Sequence, residues 1–162
     1  MVRTGIGYDS HRLAEGRRLV LGGIEIPHER GLLGHSDADV LIHALCDALL
    51  GAVADGDIGL HFPDNDREWK NVDSTVLLEH VVTRLTRAGW QIMNTDATVV
   101  AEAPRLLPYI PAMRLRLAEV MKIDCSRVSV KAKTNEGMDA VGRREGISAM
   151  VVATVMRQQP SE

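Results

Sequence analysis

In the stretch ADVLIHALCDALLGAVA, apolar residues recur at Val40, Leu41, Ala44, Leu45, Ala48 and Leu49, the spacing of one face of a helix. Ser36, followed three residues later by Asp39, reads as its N-cap in a capping box, and the pattern runs out near Ala54. A second helical stretch, TVLLEHVVTRLTRAG, starts after Asp73-Ser74 and stops at Gly89. A third, IPAMRLRLAEVMKI, follows the proline-flanked turn APRLLPY. Residues 2–13 read as a strand, and RRLVLGGIEIP (17–27) as a hairpin-like extension that turns at Gly22-Gly23. QIMNTDATVVAEA (91–103) and SRVSVKAKT (126–134) add two strands, the latter alternating Val128 and Val130 with polar neighbours. ISAMVVATVM (147–156) fits a strand or a buried helix by period alone; its Val, Ile and Thr content assigns a strand buried on both faces. DGDIGLHFPDNDREW, punctuated by Gly, Asp, Pro and Asn, reads as an irregular loop.

This order predicts a two-layer α/β sandwich, ferredoxin-like in outline, with a mixed, roughly four-stranded sheet carrying helices on one face. Residues 1–158 form one domain, with no repeat or linker inside it. The last strand is apolar on both sides, so the sheet face without helices needs a cover, and a partner chain is the expected one.

Composition narrows the classes. A 162-residue chain buries about 69% of its unfolded surface, enough for one sizeable core. With aromatics at 3%, that core is built from aliphatic residues. A net charge of −3 and a pI near 6.1 give no basic surface for nucleic acid or an anionic membrane. Cys46 and Cys125 lack the spacing of a metal knuckle or redox pair, and are expected to be reduced thiols in a cytoplasmic protein. No apolar run reaches the ~20 residues of a membrane span, and no signal segment is expected.

Asp9 and His11, two apart on a strand, project from one face within reach of a single ion. His43, one helical turn from both Asp39 and Asp47, is the candidate third donor, with those carboxylates orienting its other nitrogen. The alternative makes Asp39 a cap, His43 a helix histidine and the strand pair solvated. Gly34-His35-Ser36 leads into a helix N-terminus, which suits a phosphate or is simply a capped end. Asp57, Gly59, His61, Asp64 and Asp66 crowd one polar loop that either holds ligand hydroxyls or is only solvated. Lys131, Lys133, Thr134 and Glu136 gather at a strand end, where they suit a diphosphate with Mg²⁺ or form an ordinary charged edge. Gly5-Ile6-Gly7 lacks the rest of a dinucleotide fingerprint.

With GIGYDSH, LVLGGIEIP, GLLGHSDADVLIHALCDALLGA, GDIGLHFPDND, TDATVVAEAPRLLPYIPAMR, VSVKAKTNEG and GRREGI in order, the chain resembles the 2-C-methyl-D-erythritol 2,4-cyclodiphosphate synthase family almost end to end. The resemblance implies a homotrimer with sheets facing inward and active sites at the subunit junctions. It implies zinc on Asp9, His11 and His43, with Asp39 and Asp47 supporting, and a second ion, Mg²⁺ or Mn²⁺, on Glu136. The implied substrate is a cytidine diphosphate derivative of methylerythritol 2-phosphate, cyclised with loss of CMP. Catalytic positions match His35, Asp57, Thr134 and Glu136. The 2-phosphate falls to His35 and Ser36, the erythritol hydroxyls to Asp57 and Gly59, and the loop of His61, Phe62 and Asp64 closes over them. The cytidine end falls to Ala101, Pro104, Arg105, Leu106 and Leu107 with Lys133 and Thr134, and Arg143 lies at the mouth of a central cavity. Two positions depart from the family pattern: Lys133 replaces a hydroxyl residue, and Asp139-Ala140 replaces a glycine and an aromatic. A non-catalytic trimeric binder of nucleotides or isoprenoid phosphates, or a zinc phosphohydrolase, would use the same residues.

Overall fold

The computed structural model describes residues 1–63, 65 and 69–158. A long strand β1 (Val2–Glu15) is followed by the short strands β2 (Leu19–Leu21), β3 (Ile24–Ile26) and β4 (Arg30–Leu32). Helix α1 (Val40–Ala52), the one-turn α2 (Ile58–His61) and α3 (Ser74–Arg87) lead to β5 (Trp90–Val100). Then come α4 (Ile110–Met121), β6 (Val128–Lys133), the one-turn α5 (Asp139–Gly142) and β7 (Gly146–Arg157). The main sheet has five strands in the order β4-β1-β7-β5-β6, parallel only between β5 and β6, while β2 and β3 form a separate hairpin. The sheet therefore has one strand more than the sequence patterns indicated, the short edge strand β4. The expected hairpin turns at Gly22 and Gly23, both with positive φ.

Three expectations change. The N-cap of α1 is Asp39, whose carboxylate accepts from the Leu41 and Ile42 N–H groups; Ser36 sits in the preceding loop. Both are good capping residues three apart, and only the backbone decides between them: Asp39 has the extended ψ of a cap. The loop after α1 contains α2, capped by Asp57 through the Leu60 N–H. Strand β7 is buried on one face only.

That last point follows from the register. Tyr8 pairs with Met150 and Ile6 with Val152 on the face away from the helices, and Ile6 and Tyr8 are 65% and 59% exposed. On the other face Gly5, Gly7, Asp9 and His11 lie opposite Ala153, Val151, Ala149 and Ile147. Helix α1 packs there, buried along nearly its whole length. Its close approach depends on two missing side chains: a β-carbon on Gly5 would stand 2.1 Å from the Ala48 carbonyl oxygen, and one on Gly7 1.9 Å from that of Ala44. Leu41, Leu45 and Leu49 pack with Leu78, Leu85, Met113, Val151 and Val155 in a single aliphatic core. Truncating one such leucine to alanine typically costs about 2–5 kcal/mol.

Candidate metal centre and active site

Because α1 lies against β1 at the two glycines, the side chains just beyond them on the strand meet the first turn of the helix. Asp9 and His11 leave the helix-facing side of β1, and His43 leaves α1 toward them. Asp9 Oδ2, His11 Nε2 and His43 Nδ1 form a nearly equilateral triangle, with edges of 2.9, 3.0 and 3.0 Å. These three residues are the one metal-suited cluster of His, Cys, Asp and Glu among the described residues.

Protons alone do not satisfy this triangle. Each imidazole nitrogen in it carries a proton or a lone pair. Two N–H groups would face each other across the N···N edge, two lone pairs would leave the carboxylate without a donor, and one of each leaves the remaining N···O edge with lone pairs on both sides. A cation in the middle suits all three atoms. Tetrahedral zinc with donors at about 2.0–2.1 Å holds them about 3.3 Å apart, close to the observed spacing, and two imidazoles with one carboxylate are a known donor set for a zinc site with an open position.

Electrostatics agrees. Burial alone would raise the Asp9 pKa, but hydrogen bonds and charge from His11 and His43 outweigh it and hold the carboxyl well below its usual range. Burial would lower His43; the hydrogen bond and charge of Asp9, with Asp39 and Asp37 behind, raise it instead. The Ser10 N–H donates to Asp9 Oδ1 at 2.8 Å and fixes the carboxylate from the strand side.

The groups behind His43 differ from those expected. Its Nε2 meets Ser36 Oγ at 3.0 Å and Ser74 Oγ at 3.1 Å, and the Ser74 hydroxyl donates to Asp37. Neither Asp39 nor Asp47 contacts the ring. Asp39 accepts N–H groups from Gly22, Gly23, Leu41 and Ile42, tying the β2–β3 turn to the start of α1. Full burial and the Asp37 charge push its pKa up to about 6, against those N–H groups. Asp47 accepts the Ile58 N–H at 2.7 Å and anchors α2; burial raises its pKa. Both carboxylates are taken up by backbone donors, and neither hydrogen-bonds the imidazole.

The loop before α1 runs beside the cluster, where a β-carbon on Gly34 would stand 3.2 Å from His11 Cε1. His35 Nε2 is buried without a partner among the described residues. Arg17 braces this loop by donating to the carbonyls of Leu32, Gly34 and Ser36 at 3.0, 3.4 and 2.9 Å. Asp57 and Gly59 are exposed at the start of α2.

His61 and Phe62 are engaged elsewhere. His61 Nε2 bonds the Asp55 carbonyl at 2.7 Å, and Phe62 packs edge-on to Trp69 at 4.9 Å and to His80 at 6.1 Å. Asp64 and Asp66 lie outside the described residues. A broad cleft of about 950 Å³ opens on that side, lined by His61, Phe62, Trp69, His80 and Arg84 and by none of the three donors. Volume alone does not locate the chemistry here; the donor triangle does.

The residues expected at the cytidine end gather at the C-terminal ends of β5 and β6. The Ala101 N–H donates to the Lys133 carbonyl at 2.9 Å, Pro104 follows a cis peptide bond, Leu106 is buried and Leu107 exposed. Arg105, Lys133, Thr134 and Glu136 are exposed, with Thr134 Oγ1 donating to Glu136 Oε1 at 2.9 Å. Glu102 holds the turn after them by accepting the Asn135 and Gly137 N–H groups. Arg143 pairs with Glu145 at 2.7 Å. Within one chain this group does not reach the donor triangle. Ser10, Ser148, Val100 and Lys133 share one row across the sheet, so Lys133 lies three strand steps, about 14 Å, from β1. It also projects from the opposite face to Asp9 and His11.

A five-stranded mixed sheet with a helix layer and a strand–helix Asp-His-His cluster defines an α/β protein whose donor set suits a metal ion. The sequence pattern of the YgbB family matches residues 2–156, and this chain belongs to that family. It is 60% identical over 154 residues, 95% of this chain and 98% of the relative, to the 2-C-methyl-D-erythritol 2,4-cyclodiphosphate synthase of Syntrophomonas wolfei. The bifunctional IspDF from Campylobacter jejuni superposes with a TM-score of 0.94 at 37% identity, covering 98% of this chain and 43% of that longer one. The Plasmodium falciparum IspF in complex with CDP superposes with a TM-score of 0.85 at 30% identity, covering 98% of this chain and 97% of that one.

Proposed function

We propose that this chain closes the ring of 2-C-methyl-D-erythritol 2,4-cyclodiphosphate in non-mevalonate isoprenoid precursor synthesis. The substrate is the 4-(cytidine 5'-diphospho) 2-phosphate derivative of methylerythritol, and CMP is released. The observation that carries this reading is the convergence of Asp9, His11 and His43 donor atoms in a chain of this family.

In the reaction an oxygen of the 2-phosphate bonds to the β-phosphorus, the bond from that phosphorus to the oxygen bridging it to the α-phosphate breaks, and CMP leaves with the electron pair. The attacking oxygen already carries negative charge, so no protein nucleophile is needed and the barrier yields to positioning and charge neutralisation. Zinc on Asp9, His11 and His43, with Mg²⁺ or Mn²⁺ on Glu136, would supply Lewis-acid charge at the diphosphate when bound.

The chain's own residues do the rest. His35, whose Nε2 has no partner among the described residues, and the backbone at Ser36 hold the 2-phosphate beside the metal centre. The Ser36 hydroxyl meanwhile serves His43. Asp57 and Gly59 meet the erythritol hydroxyls, and His61 and Phe62, which bond Asp55 and pack on Trp69, would turn toward them with substrate bound. Lys133 and Thr134 neutralise and orient the diphosphate, and the backbone of Ala101 to Leu107 reads the cytosine edge.

Since one chain separates the metal centre from the cytidine segment, the reading places the complete site between subunits. Ferredoxin-like subunits pack as a homotrimer through their open sheet faces, apolar at Ile6, Tyr8, Met150 and Val152. Arg143 then stands at the mouth of the central cavity. The enzyme works in the cytoplasm on this small molecule alone, with no nucleic acid or membrane as partner.

Incubation with the cytidine diphosphate substrate, followed by phosphorus NMR, tests this. CMP and the cyclic diphosphate are expected in equal amounts. Intact substrate would indicate a binder, and CMP with the open-chain methylerythritol 2,4-bisphosphate a hydrolase; either result contradicts the proposal.

A further inference from the structure

The network behind His43 determines which of its nitrogens carries the proton. Asp37 faces the first turn of α3, where Oδ2 accepts the Ser74 N–H at 3.1 Å and Oδ1 accepts the Ser74 hydroxyl proton. An ionised carboxylate only accepts, so the single hydroxyl proton of Ser74 is committed to Asp37. What Ser74 Oγ then presents to His43 Nε2, 3.1 Å away, is lone-pair density.

An unprotonated Nε2 would put two acceptors face to face in a buried site. Ser36 does not repair this. Its oxygen lies 3.0 Å from Nε2 and 3.3 Å from Ser74 Oγ and already accepts the Ala38 N–H at 3.1 Å. Its one proton serves either neighbour, and the Ser74–His43 contact stays without one. With Nε2 protonated every atom behind the ring is matched: the ring N–H is shared by the two serine oxygens, the Ser36 hydroxyl turns to Ser74, and Ser74 donates to Asp37. In front of the ring Nδ1 faces Asp9 Oδ2 and His11 Nε2 at 3.0 Å each, and in the metal-free protein the His11 Nε2–H donates to it.

We infer that Asp37, acting through Ser74, sets the tautomer of His43 and keeps Nδ1 unprotonated, as a ready metal donor beside Asp9 and His11. Asp37 and Ser74 are positioning residues, six residues before and thirty-one after the histidine they control. The consequence for metal rests on the metal-centre reading above; the tautomer itself does not depend on turnover.

The test uses the full chain, nitrogen-15 labelled and stripped of metal, at a pH where His43 is neutral. Two-bond proton–nitrogen correlation reads the tautomer, and competition with a chromophoric chelator reads zinc affinity. In the unaltered protein the proton sits on Nε2. In Asp37→Ala the Ser74 hydroxyl loses its acceptor and turns to Nε2, and His43 shifts to the Nδ1–H form. Zinc affinity then falls about 10–100-fold, the usual cost of losing a group that orients a metal-binding histidine.

Because Asp37 also anchors the start of α3, Ser74→Ala serves as the second variant, and mixed tautomers with an intermediate affinity are expected. An Nδ1–H ring in the unaltered protein overturns the inference without any variant. So does a folded Asp37→Ala protein, or a folded Ser74→Ala protein, with tautomer and zinc affinity unchanged. A protein with the expected tautomer and zinc affinity but no ring closure would instead contradict the proposed reaction and support this inference.

Discussion

Gly7 of β1 lies so close to Ala44 of α1 that a β-carbon on it would come within 1.9 Å of the Ala44 carbonyl oxygen. This contact sets the distance across which Asp9 and His11 meet His43, the residue before Ala44 on the same helix. Gly7→Ala must push helix from strand against backbone that has no room to yield. A loss of about 3 kcal/mol or more is expected by chemical denaturation, at the upper end of ordinary overpacking, with loss of zinc binding. Gly16→Ala, which meets nothing within 4 Å but keeps a φ of +72°, is the control; it should cost only about 1–2 kcal/mol and leave zinc in place.

His43→Ala leaves two donors and removes the partner of two serine hydroxyls. Metal analysis should find the variant essentially free of zinc, while circular dichroism shows the fold retained. Activity is expected to fall about 10³-fold or more, since the ion is worth several kcal/mol at a transferring phosphoryl group.

Acidity should act on the metal-free and zinc-bound forms with opposite signs. The raised His43 pKa gives the metal-free protein stability that is complete below the unfolded histidine value of about 6.5 and is lost as pH rises through the folded value. The lowered Asp9 pKa contributes above the unfolded aspartate value of about 3.9 and is lost only as pH falls through its own folded value. Zinc needs a deprotonated His43 Nδ1, so its affinity rises over the range in which the metal-free protein weakens. Thermal melts from about pH 6 to about pH 9 should show the chelator-treated Tm falling while the increment on adding zinc grows; trends of the same sign would contradict this.

Ile6 is 65% exposed at the centre of the open sheet face, opposite Val152. Ile6→Glu would bury a carboxylate at the proposed trimer contact, so sedimentation should show the variant as monomers, still folded, with little activity. A trimeric variant would place the interface elsewhere.

Much of this site could be read from residue order, because it depends on two short periods. A two-residue step along β1 aligns Asp9 with His11, and a helical turn places His43 one step past its cap. What periodicity does not carry is the tertiary meeting of distant polar groups. Ser74 and Asp37 reach His43 only because α3 and the loop before α1 converge on it, so carboxylates on the histidine's own helix looked like its partners. Ser36 and Asp39 are chemically equivalent as caps, and the choice between them lies in backbone angles. The two apolar faces of β7 were legible, but a single chain covers only one of them. Asp96 and Lys131, paired on the open face, likewise gave no sign in the sequence that they would meet across parallel strands.

The central claim is that the substrate's own 2-phosphate attacks, within a centre built by Asp9, His11 and His43. The most direct measurement is turnover in water enriched in oxygen-18, with phosphorus NMR of the products. Ring closure predicts a cyclic diphosphate and CMP with no heavy oxygen on any phosphorus. Heavy oxygen on an open-chain methylerythritol bisphosphate or on CMP would show that water is the nucleophile and would contradict the account.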